Sequence, residues 1–309
     1  MTVRIGVVGS NMTDLVTYGH HMPAAGETLE ASHFAIGRGG KGANQAVAAA
    51  RLGAEVFMVS RVGDDDFGRD TLLNFRSLGI GTTHITSTAG VMSGVASVFV
   101  ADNGQNTILI TKGANAYLSP ADIEAASATL LTCDLILLQL EIPLATVYAT
   151  IDWAVRHGRR ILLNPAPASK ELSFEKICSV DYFVPNQTEL AILTEMPTET
   201  VAEVEMAARH LLARGMRCII VTLGPEGVLL VTPETIQHIP SISVIAKDTT
   251  GAGDAFIGAF AAHEAAGQSL DVALRQAVAY AALSVTNQGA QSSYADRQTF
   301  QQFLAQQSD

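Results

Sequence analysis

Residues 248–260 read Asp-Thr-Thr-Gly-Ala-Gly-Asp-Ala-Phe-Ile-Gly-Ala-Phe. Gly251, Ala252 and Gly253 stand between two acids, Asp248 and Asp254. The apolar, small-residue run behind them predicts a closely packed helix whose first turn falls at the glycines. Unpaired N–H groups at such a terminus attract an anion such as phosphate. Asp254 therefore sits where negative charge would gather. An acid in that place suits a general base, taking a proton from a hydroxyl as it attacks a phosphoryl group. Taken alone, the stretch also reads as a turn followed by an acid that the helix dipole favours.

A second glycine-rich stretch, Gly37-Arg38-Gly39-Gly40-Lys41-Gly42-Ala43-Asn44-Gln45-Ala46, leads into a small-residue helix expected over 46–52. Its glycines let backbone approach a ligand, with Lys41 and Asn44 beside it. The G-x-G-x-x-G spacing is formally present, but it does not follow the first strand directly. The acid expected about 20 residues on is also missing. Gly42, not Ser or Thr, follows Lys41, so an ATP P-loop is absent too.

The elements that must hold these residues alternate strand and helix. Val3–Val8 reads as a buried first strand, with Asp14 shortly past its end. Asp14 is either a turn residue or a carboxylate that accepts sugar hydroxyls. Further strands are expected at 56–60, 134–140, 160–163, 182–184 and 218–223, with helices at 66–78, 122–131, 145–157 and 201–214. Such alternation predicts an α/β fold, a mostly parallel sheet with helices on both faces. An edge hairpin is expected over 227–239. Asp14, Glu141, Asn164, Asn186, Glu189 and Gly224 all fall just past strand C-termini, the ligand-binding edge of such a sheet. Two segments break the alternation. Residues 15–34 read as irregular short strands and turns, and 91–110 as a hairpin about Asn103-Gly104. A small β-sheet lid is one use for them; an edge extension of the main sheet is the other.

The chain has 309 residues, a formal net charge of -11 and 48% hydrophobic residues. No basic block exists to hold nucleic acid or an anionic membrane. No stretch is long and apolar enough to span a bilayer, and the first residues lack a signal-peptide pattern. Cys133, Cys178 and Cys218 show no metal or redox spacing. Buried free thiols in a reducing cytoplasm are expected.

The two glycine-rich segments together resemble the signatures of the PfkB-type carbohydrate kinases, the ribokinase family. The resemblance runs over essentially the whole chain and includes Asn186-x-x-Glu189, Thr222-Leu223-Gly224 and Gly289-Ala290-Gln291. It implies one ribokinase-like kinase domain over 1–309, with lid strands from about 12–35 and 91–110. It further implies Asp254 as catalytic base and Gly251, Ala252 and Gly253 as an anion hole. Asp14, Gly40, Lys41, Asn44 and Glu141 match sugar contacts. Asn186 and Glu189 match the region that orders Mg²⁺ and the ATP phosphates; Thr222, Gly224 and Gly227 match the nucleotide loop. Asp248, Thr250, Asn287, Gly289 and Ser293 match the holders of a monovalent cation, K⁺. A homodimer through the lid sheet is implied as well.

Members acting on ribose typically carry Asn where Met12 stands here, two residues before Asp14. A thioether makes no effective hydrogen bond with a hydroxyl. Burying a hydroxyl against it costs roughly 1–3 kcal/mol. Met12 thus points to 2-deoxyribose, phosphorylated at its 5-hydroxyl, unless it is simply core at a strand end. Ribose or a nucleoside as acceptor, or a non-catalytic sugar or nucleotide sensor, are the alternatives.

Overall fold

The structure is a computed structural model that describes residues 2–103 and 105–307. Thirteen strands form two sheets among them. The large sheet takes β1 (Arg4–Val8), β4 (Glu55–Gly63), β5 (Gly81–Thr88), β8 (Leu135–Leu138) and β9 (Ile161–Leu163). It is completed by β10 (Tyr182–Phe183), β11 (Ile219–Thr222), β12 (Val228–Val231) and β13 (Ile236–Ile239). Its order is β13-β12-β11-β10-β9-β8-β1-β4-β5, parallel from β11 through β5. β12 and β13 add the expected antiparallel edge hairpin.

Both faces of this sheet are covered, as the unbroken Leu-Ile-Leu-Leu of β8 requires. Alternate side chains feed two cores. Ile5, Val7, Leu135 and Leu137 join α1 (Lys41–Arg51), α8 (Ala252–Ala265) and α9 (Leu270–Ser284). Val8, Ile136 and Leu138 join α3 (Pro120–Leu130), α4 (Leu144–Arg156) and α7 (Val201–Ala213). The helices α2 (Asp66–Ser77), α5 (Phe174–Ile177), α6 (Gln187–Thr194) and α10 (Arg297–Gln306) complete the layers. Gly258 lets α1 and α8 nearly touch: a Cβ there would lie 2.5 Å from Ala48 Cβ and 2.6 Å from the Gln45 carbonyl.

The small sheet has order β3-β2-β6-β7, from β2 (Met12–Gly19), β3 (His33–Gly39), β6 (Val95–Ala101) and β7 (Asn106–Thr111). Residues 15–34 are therefore less irregular than expected. β2 runs unbroken through Gly19, and β3 extends to Gly39, beyond the expected limit near 35. Threonines and Asp14 break the apolar pattern of β2, which hides a strand exposed on part of both faces. Asp14 thus lies within a strand and not in a turn. β6 and β7 pair as the expected hairpin; Gly104 of its turn lies outside the described residues. The connection between β1 and β2 is pinned. The Asn11 N–H donates to Asn115 Oδ1 (3.0 Å), Asn115 Nδ2 donates to the Asn11 carbonyl (2.7 Å), and Asn11 Nδ2 donates to Ser60 Oγ (2.8 Å).

Other boundaries also move. α1 begins at Lys41 rather than 46, because Gly42 and the small side chains around it disguise its first turns. Gln187 opens α6 where a loop was expected, and β5, α5, α9 and α10 had no clear sequence signal. Cys133 and Cys218 are buried, whereas Cys178 is only half-buried. Among the described residues no helix is long and apolar enough to cross a membrane.

Candidate active site

Asp254 lies in the first turn of α8 and is only 8% exposed. Each carboxylate oxygen accepts one amide N–H: Asn44 Nδ2 reaches Oδ2 at 2.9 Å and Gln45 Nε2 reaches Oδ1 at 3.0 Å. Each oxygen keeps lone-pair capacity for a further proton. Ahead of it, Gly251 caps the helix at φ 75°. A Cβ at Gly251 would sit 2.6 Å from the Tyr294 hydroxyl and 2.7 Å from Ala290 Cβ, so conformation and space both demand glycine. The Tyr294 hydroxyl donates to the Gly251 carbonyl at 2.8 Å. The Ala252 N–H bonds to Thr249 O, while those of Gly253 and Asp254 have no partner among the described residues. Such free N–H groups at a helix N-terminus suit an anion.

Asp248 anchors this turn. Its carboxylate accepts from the Thr250 N–H at 2.9 Å and from the Gly289 N–H at 2.8 Å. Burial pushes its carboxyl up, but these bonds and the Thr250 side chain outweigh it and hold the group below its ordinary range. Ser293 is buried and donates to the Ala290 carbonyl, and Asn287 is exposed beside Thr286 Oγ1. The predicted cation-holding side chains are thus mostly satisfied by protein, and backbone carbonyls would have to supply most ligands to a monovalent ion.

The N-terminus of α1 forms the second wall. Gly40 enters it at φ 89°, where a Cβ would lie 2.7 Å from Asn11 Cα and Met12 N. Glu141, from the loop after β8, accepts from the Lys41 N–H at 2.9 Å and from the Ser10 hydroxyl at 2.5 Å. A carboxylate therefore caps α1 from 100 positions away. Burial alone would lower the Lys41 ammonium; Asp254, Glu141 and Glu189 together outweigh it and hold it above its ordinary value.

Asp14 faces Gly37 across the β2–β3 pair. A Cβ on Gly39 would fall 2.3 Å from Asp14 Oδ1, so the glycines of this segment make room for the carboxylate. No hydrogen bond from the described residues reaches it. Burial, then the charges of Glu141 and Asp254, push its carboxyl up to about 6.

A cleft of about 830 Å³ unites these parts. Met12, Asp14, Gly40, Lys41, Asn44, Glu141, Asp248, Thr250, Gly251, Asp254 and Gly289 line it. Ala252, Gly253, Asn287 and Ser293 lie in the adjoining turns, off its lining. The predicted nucleotide residues lie outside it as well. Asn186 and Glu189 form the capping box of α6: Asn186 Oδ1 accepts from the Glu189 N–H, and Glu189 Oε2 from the Asn186 N–H. Thr222 stands beside Asn186 in a parallel bridge. Gly224 is open to its surroundings at φ 58°. Gly227 is there for packing, since a Cβ would lie 2.1 Å from the Ile239 carbonyl. Glu189 nonetheless feels Lys41 and Asp254; burial raises its carboxyl above the ordinary value. No cluster of three metal-ligating side chains exists among the described residues. A Mg²⁺ carried on nucleotide phosphates needs only one or two carboxylates, and Glu189 fits that demand.

Sequence inspection missed Gln45, Gln139, Gln291 and Tyr294. Gln45 stood visibly beside Asn44 in the glycine-rich stretch, and Gln291 in the Gly289-Ala290-Gln291 motif, though neither was given a role; Gln139 and Tyr294 carry no local signal.

Asp14 also has a measurable consequence. Its folded value lies above the unfolded value near 3.8, so its stabilising contribution is full below about pH 4 and is lost as pH rises through about 6. Asp14→Asn should therefore raise the unfolding free energy at pH 8 by about 2 kcal/mol, with no gain at pH 3.5. Urea titrations at the two pH values check this; an equal or lower stability of the variant at pH 8 contradicts it.

Residues 4–297 match the family described as pfkB family carbohydrate kinase. The chain is 50% identical over 301 residues to a deoxyribokinase of Salmonella typhi, covering 97% of this chain and 98% of that protein. It is 41% identical over 292 residues to a ribokinase of Mus musculus, covering 93% and 90%. A solved ribokinase of Arabidopsis thaliana, complexed with ribose and ATP, superposes with a TM-score of 0.90 at 32% identity, covering 98% of this chain and 99% of that one. On sequence and fold alike, the chain belongs to the pfkB family of carbohydrate kinases.

Proposed function

We propose that this kinase transfers the γ-phosphoryl group of ATP to the 5-hydroxyl of 2-deoxy-D-ribose, giving 2-deoxy-D-ribose 5-phosphate and ADP. The observation that carries the choice of sugar is Met12, 4% exposed and lining the same cleft as Asp14 and Asp254. A hydroxyl against its thioether would lack a partner, whereas hydrogen there loses nothing. The name of the half-identical Salmonella protein supports the same sugar.

In this reading Asp14 accepts sugar hydroxyls, with Gly40, Lys41, Asn44 and Glu141 around the ring. Asp254 takes the proton of the 5-hydroxyl as that oxygen attacks the γ-phosphorus and ADP leaves. The turn Gly251-Ala252-Gly253 and the free N–H groups behind it meet the charge on the transferred group. Mg²⁺ bound with ATP would neutralise phosphate charge. Asn186, Glu189, Thr222, Gly224 and Gly227 lie toward the nucleotide. K⁺ near Asp248, Thr250, Asn287, Gly289 and Ser293 would steady the turn; turnover equal in K⁺ and in Na⁺ or choline would count against it. The small sheet serves as a lid that excludes water. Its exposed Leu109 (72%) and Ile36 (63%) favour a homodimer through that sheet. A monomer at micromolar concentration in sedimentation equilibrium would remove the dimer. The cytoplasm is the proposed compartment.

Asp254→Asn should lower kcat by about 10²–10⁴-fold while sugar binding persists, measured by ADP release and calorimetry. Retention of most turnover would refute the base assignment. The wild type should favour 2-deoxyribose over ribose by about ten-fold or more in kcat/KM, and Met12→Asn should move the ratio toward ribose. Equal efficiency on both sugars defeats the deoxyribose reading in favour of a ribokinase.

A further inference from the structure

Two chains of neutral amides end on Asp254. One runs along the cleft: Asn74 Nδ2 donates to Gln291 Oε1, Gln291 Nε2 to Asn44 Oδ1, and Asn44 Nδ2 to Asp254 Oδ2. Its three amides line the cleft, so a ligand can reach them. The other runs beneath, off the lining. Gln139 Nε2 donates to Gln45 Oε1 at 2.7 Å, and Gln45 Nε2 donates to Asp254 Oδ1 at 3.0 Å, with a longer contact to Asn164 Oδ1 at 3.3 Å. Gln45 and Gln139 are both 0% exposed.

The carboxylate dictates every orientation in this second chain. Gln45 turned round would set its oxygen against Asp254 Oδ1. With Gln45 fixed, its own oxygen needs a donor, and Gln139 must offer its NH₂ group. Gln139 Oε1 is what remains, buried and without a partner among the described residues. It fits only because glycines surround it: a Cβ at Gly9 would lie 2.1 Å away and one at Gly42 2.9 Å away. A buried acceptor left unpaired is unfavourable, and an apolar side chain of similar size would move that deficit to Gln45 Oε1 and release the amide that Gln139 holds.

We propose that Gln139 is a positioning residue for phosphoryl transfer: acting through Gln45, it orients the Asp254 carboxylate so that a free lone pair meets the attacking hydroxyl. The proposal rests on Asp254 being the base. Gln139 touches no ligand-accessible surface, so its effect falls on the chemical step and not on binding.

The test is Gln139→Met, with kcat and both KM values read from ADP release on 2-deoxyribose and on ribose, and thermal melting followed by circular dichroism. The variant exchanges one unpaired acceptor, Gln139 Oε1, for another, Gln45 Oε1. The melting temperature should therefore stay within about 3 °C. We expect kcat to fall about 10- to 100-fold with both KM values within about two-fold of the parent. An unchanged kcat, or a loss of efficiency carried by KM alone, overturns the proposal. Should Gln139→Met fail to fold, Gln139→Leu decides by the same criteria, and failure of both assigns Gln139 a purely structural role, against the proposal. Asp254→Asn is assayed alongside. An active Asp254→Asn brings down the base reading itself; an inactive one beside fully active Gln139 variants overturns the relay alone.

Discussion

Gly258 leaves nothing between α8 and the backbone of α1, and that near-contact governs the site. Asn44 lies beside Asp254 and Ala48 beside Gly258, so the two helices run in the same direction in a fixed register. Their N-termini open side by side into one cleft. Each brings the partial positive charge of its first turn; the N–H groups of α1 are already taken up by Glu141, Ser10 and Gly40, whereas α8 keeps those of Gly253 and Asp254 unpaired among the described residues. A larger side chain at the crossing would part the helices and carry Asn44 and Gln45 away from the carboxylate they hold. Small residues along α1 and α8 thus do more than fill space: they set the distance between an acid and its two amide donors.

A site meant for a polyphosphate must also hold its own acids, and it treats each differently. Glu141 becomes the cap of α1, tied by the Lys41 N–H and the Ser10 hydroxyl. Asp248 is absorbed by backbone N–H groups on two loops. Asp254 is fixed by neutral amides. Of these four acids, Asp14 is the one whose carboxylate has no hydrogen-bond partner among the described residues, and its carboxyl is the one pushed up to about 6. The unspent accepting capacity of the cleft is concentrated where hydroxyl groups of a ligand would arrive, and Lys41 offsets the crowding of like charge.

Much of this was legible in the chain because glycine and short acids mark particular backbone work. Gly251 and Gly40 have positive φ and atoms pressed against them, so their glycines announce two helix starts. The alternation of buried strand and amphipathic helix gave the parallel sheet, since apolar runs such as Leu135–Leu138 suit little else. What stayed hidden depends on partners distant in sequence. No local pattern says that Glu141 caps a helix opening at Lys41, or that Gln139 and Gln291 sit one amide away from Asp254. β2 was expected only within an irregular stretch, because a strand that faces a cleft on one side and open surface on the other lacks a clean period of two. The Asn186–Glu189 spacing carries a helix-start pattern as well as a family match, and its geometry is that of the helix start.

The root of the small sheet is the segment proposed to read the sugar. Met12 and Asp14 occupy the first and third positions of β2, directly after the connection that Asn11, Asn115 and Ser60 tie down. No linker separates the residues proposed to identify the substrate from the strand proposed to cover it. Any flexing of the sheet is therefore a cantilever motion, small at the clamped base and large at the free tip near Gly19 and Ala101. On the proposed function, a pentose would meet the same clamped wall whatever the position of that tip.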